Sequence, residues 1–369
     1  LKKASTKFTE DTGYNFKAMG ELEYYLISEK NDLYPSDDQK GYHEASPFTN
    51  WENLRTEALL VIAQCGGKIK YGHSEVGNFS TDTHMYEQNE IEFIPVDPEE
   101  AVEQLIISKW ILRMLGKKHN VVISFAPKIT VGKAGSGLHI HMMLEKDDTN
   151  YIADEVGLTD IAKKFIAGVL EHAESLTAFG NTIPTSYLRL VPHQEAPTMV
   201  CWGDSNRSVL VRVPLGWIAK TNMIKDANPQ ERGDIPYIPG KQTVELRSPD
   251  GSADLYHLMA GIILAAKDGI LAENSLEKAN KTYVNFNIFD DKHKDIFNTL
   301  KRLPTSCYES AECLEKDREF YEKDGVFPKG TINGFVKRLK DFDDKDMNER
   351  LFNNHVEIKK LVDNYIHCM

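Results

Sequence analysis

Apolar and polar residues alternate in "ELEYYLISE" (21–29), which predicts a strand. The residues before it, "STKFTEDTGYNFKAMG", are polar and without period, so residues 1–19 read as an irregular lead-in. "NWENLRTEALLVIAQCGG" (50–67) has helical spacing and stops at paired glycines, a good helix C-terminus. "GKIKYGHSEVGNF" reads as a strand followed by a loop. Residues 97–120 predict a long helix: Asp97 can cap it, Pro98 suits its first position, acids crowd its first turn and lysines its last. "VVISFAPKITV" (121–131) and residues 139–144 read as strands. "LTDIAKKFIAGVLEHAESLTAF" and "GSADLYHLMAGIILAAKDGI" read as long amphipathic helices, and residues 275–369 as a helical, charged, loop-broken end region. Strands and helices interleave irregularly, which points to one α+β domain over residues 1–369 rather than a regular βαβ series.

Composition narrows the partners. The chain has 369 residues, 41% hydrophobic and 27% charged, enough for a substantial core. A formal net charge of −12 argues against a surface that tracks nucleic-acid phosphates. An acidic protein can still hold a nucleotide when metal ions bridge the two anions. No run of about 18 apolar residues predicts a membrane span, and the first residues carry no signal-peptide pattern. Cys65, Cys201, Cys307, Cys313 and Cys368 are too scattered for a disulfide framework or a zinc cluster, which favours a reducing, cytoplasmic setting.

Three pairs of residues spaced two apart carry the candidate chemistry. Glu21 and Glu23 project from one strand face, as do His139 and His141, and Glu245 and Arg247. Each pair alone has an ordinary explanation: a solvated strand face, satisfied histidines, a cross-strand salt bridge. The glycine-rich "GKAGSG" before His139 is no Walker loop, since Leu138 follows its last glycine, and no dinucleotide fingerprint, since a strand follows it. A tight turn whose amides face a ligand remains open. Further acids are Glu75, Glu90 and Glu195; further arginines are Arg189, Arg207 and Arg212. Together they are a hard-oxygen donor set for Mg²⁺ or Mn²⁺ beside an arginine cluster whose planar forks match carboxylates and phosphates. Phosphoryl transfer needs that combination.

The order of these motifs resembles the catalytic region of the glutamine synthetase family. The carrying segments are "GELEYYLI", "HSEV…QNEIEF", "FAPKITVGKAGSGLHIHM", "SYLRLVPHQEAP", "NRSVLVRVP" and "VELRSPDGSADLYH", from about Gly20 onward, with "LPTSCYESAECLEKDREFYEKDGVF" similar to the family's C-terminal helices. The resemblance implies a curved, mainly antiparallel half-barrel sheet backed by helices, the glutamine synthetase/guanido kinase-like catalytic fold. It implies Glu23, Glu75 and Glu90 as ligands of one divalent ion, and Glu21, His139 and Glu245 as ligands of another. It places His141, Arg207 and Arg212 at ATP and the transferred phosphoryl, and Arg189, Arg247 and backbone at Gly135 at the substrate carboxylate. Glu195 falls at the loop acid that shields the intermediate and helps deprotonate ammonium. The implied substrates are ATP, glutamate, and ammonia or another amine, and the implied assembly is a homo-oligomeric ring.

Departures bear on the substrate. The family's asparagine before the "GSG" turn is Ala134 here, and its arginine two residues before Glu245 is Thr243. Residues 216–241 look inserted, and the stretch between Glu75 and Glu90 is long. The family's β-grasp domain, which completes the neighbouring subunit's site, is not found ahead of the first catalytic strand. A chain lacking it is expected to show little activity alone. These departures keep two alternatives in view, a γ-glutamyl ligase for a larger amine and a non-catalytic protein on the same scaffold.

Overall fold

The computed structural model describes residues 1–31, 33–35, 37–154, 156–192, 196–214, 227–230, 242–288, 292, 295 and 299–368. Its centre is a nine-stranded sheet. The strands are β1 (Asn15–Glu29), β2 (Ile69–Ser80), β3 (His84–Phe93), β4 (Val122–Ser124), β5 (Leu138–Lys146), β6 (Thr149–Asn150), β7 (Trp202–Asp204), β8 (Val211–Val213) and β9 (Val244–Leu246). The main order is β2-β3-β1-β5-β9-β8-β7, with β4 on β1 and β6 on β5. Among the described residues, these strands pair antiparallel except β7 with β8.

Alternation decides which face is which. In β1, Phe16, Ala18, Leu22, Tyr24 and Leu26 are buried in the main core, whereas Glu21 and Glu23 point the other way. Register extends both rows across the sheet. Leu22 faces Ile91 and Leu138, and Ile140 faces Leu246, so the apolar row is continuous. Helices cover that row. Among the described residues, α1 (Lys2–Thr12), α3 (Pro98–Lys118) and α7 (Leu255–Leu271) pack on β1 or on one another. Around them lie α2 (Glu52–Gln64), α4 (Asp160–Glu171), α5 (Ala173–Gly180), α6 (Ser186–Arg189) and α8 (Ser275–Thr282). The C-terminal part holds α9 (Cys307–Lys316), α10 (Arg318–Glu322), α11 (Lys329–Lys340), α12 (Met347–Arg350) and α13 (His355–Tyr365). Helix α3 approaches β1 closely at Gly20, because a Cβ there would meet the Leu105 side chain at 2.7 Å. Among the described residues no single helix is long and apolar enough to cross a membrane, and all five cysteines are free.

Four local expectations need correction. The irregular lead-in is helix α1 followed directly by β1; Ala4 and Phe8, four apart, supply a narrow buried stripe, and Gly13 ends the helix at φ 74°. Residues 67–79 are not strand then loop, since β2 runs on to Ser80 across an irregularity between Ser74 and Asn78. The strand expected over 121–131 stops at Ser124, and Pro127, with no N–H to give a ladder, lies just beyond. The single helix expected over 158–179 breaks at His172, which ends α4 and starts α5. Its ring is held by Asp317 (Nδ1 to Oδ2, 3.0 Å) and Asp268 (Nε2 to Oδ2, 3.5 Å) and stacks on Phe320.

Candidate active site

Pairing register assembles the polar face. Tyr71, Glu92, Glu21 and His139 form one row across β2, β3, β1 and β5. His73, Glu90 and Glu23 form the next, and His141, Glu245 and Arg212 a third across β5, β9 and β8. Cross-strand neighbours lie only about 4.5–5.5 Å apart at Cβ, so the charges are forced together. A cavity of about 250 Å³ opens over these rows. Its lining includes Glu21, Glu23, Glu75, Glu90, His139 and Glu245, together with Gly135, Arg189, Arg207, Arg212 and Arg247. His141 lies beneath, buried, outside that lining. Glu195 and residues 216–226 and 231–241 of the insertion lie outside the described residues.

The contacts join acids to histidines. Glu21 reaches His141 Nε2 at 2.8 Å and His139 Nδ1 at 3.0 Å. His139 Nε2 stands 3.8 Å from Glu23, and its Nδ1 3.3 Å from Glu245. Among the described residues, three donor groups are close enough together that they could hold an ion: Glu21, Glu90 and His139; Glu21, His141 and Glu245; and His73, Glu90 and Glu92. The resemblance divides the ligands differently, since it keeps Glu75 with Glu23 and Glu90 and leaves His141 to ATP. In the structure Glu75 Oε2 accepts from the Val76 amide at 2.7 Å, and His141 Nδ1 lies 2.8 Å from Thr243 Oγ1.

Electrostatics favour a cation. Burial, followed by the charges of Glu21, Glu23, Glu75 and Glu92, pushes the Glu90 carboxyl well above its usual range. Burial pushes Glu21 the same way, but His141 and His139 outweigh it and hold that carboxyl well below. His139 is lowered, mainly by burial. Burial lowers His141 too, but Glu21 outweighs it and leaves the ring raised. Glu245 Oε1 is buried and takes no hydrogen bond, with Arg247 Nε 3.2 Å away. A repelling carboxylate set with histidine nitrogens and an unsatisfied buried oxygen fits a hard divalent ion.

The arginine side is held by backbone. Arg189 donates from Nη1 to the Ser248 carbonyl (2.8 Å) and from Nη2 to that of Arg247 (3.2 Å). Arg247 donates to the Arg207 carbonyl, and Arg212 Nε to Glu245. Arg207 lies over the Tyr42 ring, 5.9 Å from its centroid. The glycine turn must be bare here: a Cβ on Gly137 would come 2.5 Å from Arg189 Nη2, and one on Gly135 2.6 Å from the Pro127 carbonyl.

Sequence reasoning missed several residues. Glu92 faces the cavity beside Glu90, accepts from Tyr71, and pairs with Lys70 Nζ at 2.6 Å. The same two-residue spacing that marks Glu21 and Glu23 would have found it. Tyr42, His73 and Lys128 also line the cavity; His73 and Lys128 lie in the segments "HSEV" and "FAPKITV" without being singled out there, and Tyr42 lies in no such segment. Gln88 is buried between the halves. Its Nε2 donates to Glu23 Oε2 (3.0 Å), the Gly135 carbonyl (3.0 Å) and Ser136 Oγ (3.2 Å), and its Oε1 accepts from the Gly77 amide (3.0 Å).

Comparison with known proteins agrees with this geometry. Residues 1–358 match the family described as glutamine synthetase, catalytic domain. Glutamine synthetase of Pyrococcus furiosus is 32% identical over 330 residues, covering 88% of this chain and 67% of that protein. The Clostridium saccharobutylicum enzyme is 30% identical over 330 residues with the same coverage. The chain therefore spans about two thirds of the length of these relatives. In fold it is similar to the glutamine synthetase of Plasmodium falciparum (TM-score 0.71, 21% identity, 95% of this chain and 77% of that one). It is also similar to GmaS in a complex with ADP (TM-score 0.70, 19% identity, 98% and 76%). The chain belongs to the glutamine synthetase family, and residues 1–358 are its catalytic domain, that of an ATP-dependent ligase.

Proposed function

We propose that the protein forms glutamine from glutamate and ammonia at the expense of ATP, through a γ-glutamyl phosphate. The observation that carries this is the convergence of acidic, histidine and arginine residues on one sheet face around one cavity. Divalent ions held by Glu21, Glu23, Glu75, Glu90, His139 and Glu245 would neutralise the phosphate oxygens of ATP. Arg207 and Arg212 would grip the phosphoryl group, with His141 beneath them, while Arg189 and Arg247 would hold the α-carboxylate of glutamate against the Gly135 turn. The γ-carboxylate oxygen attacks the γ-phosphorus, and ADP leaves with the bridging oxygen. The amine nitrogen then attacks the γ-carbon, phosphate departs with the oxygen it received, and the surplus amine proton passes to a base. Glu195 is assigned as that base and as the acid that closes over the intermediate and excludes water.

A second reading is a larger amine in place of ammonia. Ala134 favours it, because a methyl stands in the cavity lining where the family carries an amide side chain. Incubation with glutamate, ATP, Mg²⁺ and either ammonia or a panel of primary amines, with products identified by mass spectrometry, separates the two. Turnover with ammonia alone removes the second reading; turnover only with a larger amine removes the first. Free cysteines support a reducing, cytoplasmic location, and the family resemblance supports a ring of subunits.

A further inference from the structure

The glycine turn ahead of β5, Ala134 to Gly137, is pinned by residues from several parts of the chain. The Ala134 amide donates to Gln39 Oε1 at 2.7 Å, and its carbonyl accepts from the Tyr25 hydroxyl at 2.9 Å. The Ser136 amide donates to the Pro127 carbonyl at 3.0 Å, and that of Gly137 to Glu23 Oε2 at 2.7 Å. Among the described residues the Gly135 amide has no such acceptor, and Gly135 lines the cavity. Buried amides are almost always paired, so this N–H is suited to a ligand oxygen.

Gln39 comes from a loop that runs along β2 and carries Tyr42 to the cavity. The Gln39 amide donates to the Asn78 carbonyl at 2.8 Å, the Lys40 amide to Asn78 Oδ1 at 2.9 Å, and the His43 amide to the Ser74 carbonyl at 2.9 Å. Gln39 Nε2 donates to the same Asn78 carbonyl at 2.9 Å, so its side chain has one end on β2 and the other on the turn. Exchanging the oxygen and nitrogen would set donor against donor and acceptor against acceptor, which fixes the orientation. The preceding residues of loop and turn, Asp38 and Lys133, form an ion pair beside it. Gln39 lies at φ 59°, in the left-handed region where glycine is at ease and a side chain costs energy. A side chain held there against that cost points to a task. The residue it holds is Ala134, whose methyl stands where the family carries an amide side chain. The amide that touches the turn here comes from the loop instead.

We propose, resting on the assignment of glutamate to this cavity, that Gln39 is a positioning residue for the acid substrate. It ties the Tyr42 loop to the glycine turn and so holds the Gly135 amide toward the substrate carboxylate. Gln39 does not itself line the cavity, and it touches none of the acids or histidines assigned to the cations. Its loss therefore acts on the carboxylate side of the site and spares the metal–nucleotide side.

Two measurements on the 369-residue chain with Mn²⁺ test this. Hydrogen exchange read by mass spectrometry follows the amides of the turn, and calorimetric titration follows glutamate and ADP separately. Gln39→Met keeps the length of the side chain but offers neither acceptor nor donor. It is expected to speed exchange across residues 133–137 and to weaken glutamate binding about fivefold, the worth of one hydrogen bond. ADP binding is expected to stay within about twofold. Gln39→Gly relieves the left-handed backbone, so it should melt no lower than Gln39→Met while weakening glutamate as much. Unchanged exchange in the turn would overturn the proposal, and so would glutamate and ADP weakened alike, which marks a general loosening of the site. A wild-type chain that binds ADP and no glutamate would overturn the assignment of glutamate to the cavity, and exchange would still decide whether Gln39 holds the turn.

Discussion

At the residue scale, Glu245 carries most. It lies fully buried at the meeting of His139, Arg212 and Arg247. Replacing it by alanine removes a cation donor and leaves buried guanidinium charge uncompensated. We expect Glu245→Ala to lower kcat by at least about 10²–10³-fold and to cost about 3–5 kcal/mol of stability. Glu245→Gln keeps the shape, so it should lose turnover while keeping more of the stability; steady-state rates and urea unfolding separate the two effects. Near-normal turnover in either variant would contradict the assignment. Gln88 gives a second test, because it holds Glu23 and the Gly135 turn in one place without lining the cavity. Gln88→Ala should weaken Mn²⁺ binding and raise the glutamate KM together, whereas a residue serving only one half would move only one of them. Sequence spacing made Glu21, Glu23, His139, His141 and Glu245 legible, because period 2 is a property of any strand. The same period puts Gln88 on the face of Glu90, but it could not show that Gln88 joins Glu23 to the Gly135 and Gly77 backbone, nor that Tyr42 lines the cavity from outside the strands.

At the element scale, alternation in β1, β5 and β9 was readable, because each has one face on the core and one on the cavity. Strand β4 and the end of β2 were not, since a proline and a bulge override local propensity. The break between α4 and α5 was hidden for another reason: the residues that hold His172 lie far away in sequence. Burial lowers the pKa of His172, but Asp268 and Asp317 outweigh it and raise the ring above its ordinary value. Both aspartates are lowered, Asp268 by His172 first, and Asp317 by His172 and Ser175 against the effect of burial. The stabilisation from protonated His172 is therefore complete below about pH 6.5 and fades as pH rises through its raised pKa. The aspartate part is present above about pH 4 and fades as pH falls through the lowered values. His172→Gln should cost about 1 kcal/mol near pH 5.5 and clearly less at pH 9. Urea melts at the two pH values check this, and an equal loss at both would show that stacking on Phe320 matters rather than charge.

At the scale of the whole molecule, a sheet with helices on one face and a crowd of acids on the other is a scaffold for cations. Without them Glu90 and its neighbours repel, so adding Mg²⁺ or Mn²⁺ should stabilise the fold. At a hundredfold excess over Kd the gain is about 2.7 kcal/mol for each site that binds only the folded state. Thermal melts with and without EDTA would show it, and a melting temperature indifferent to both ions would argue against the donor set.

The central claim is that the carboxylate is activated by phosphorylation before the amine attacks. Its direct test uses glutamate labelled with ¹⁸O in the γ-carboxylate, turned over with ATP, Mg²⁺ and the accepted amine. The mechanism predicts one ¹⁸O in each phosphate released, because the oxygen that attacks phosphorus leaves with it. Amide product accompanied by unlabelled phosphate would contradict the account.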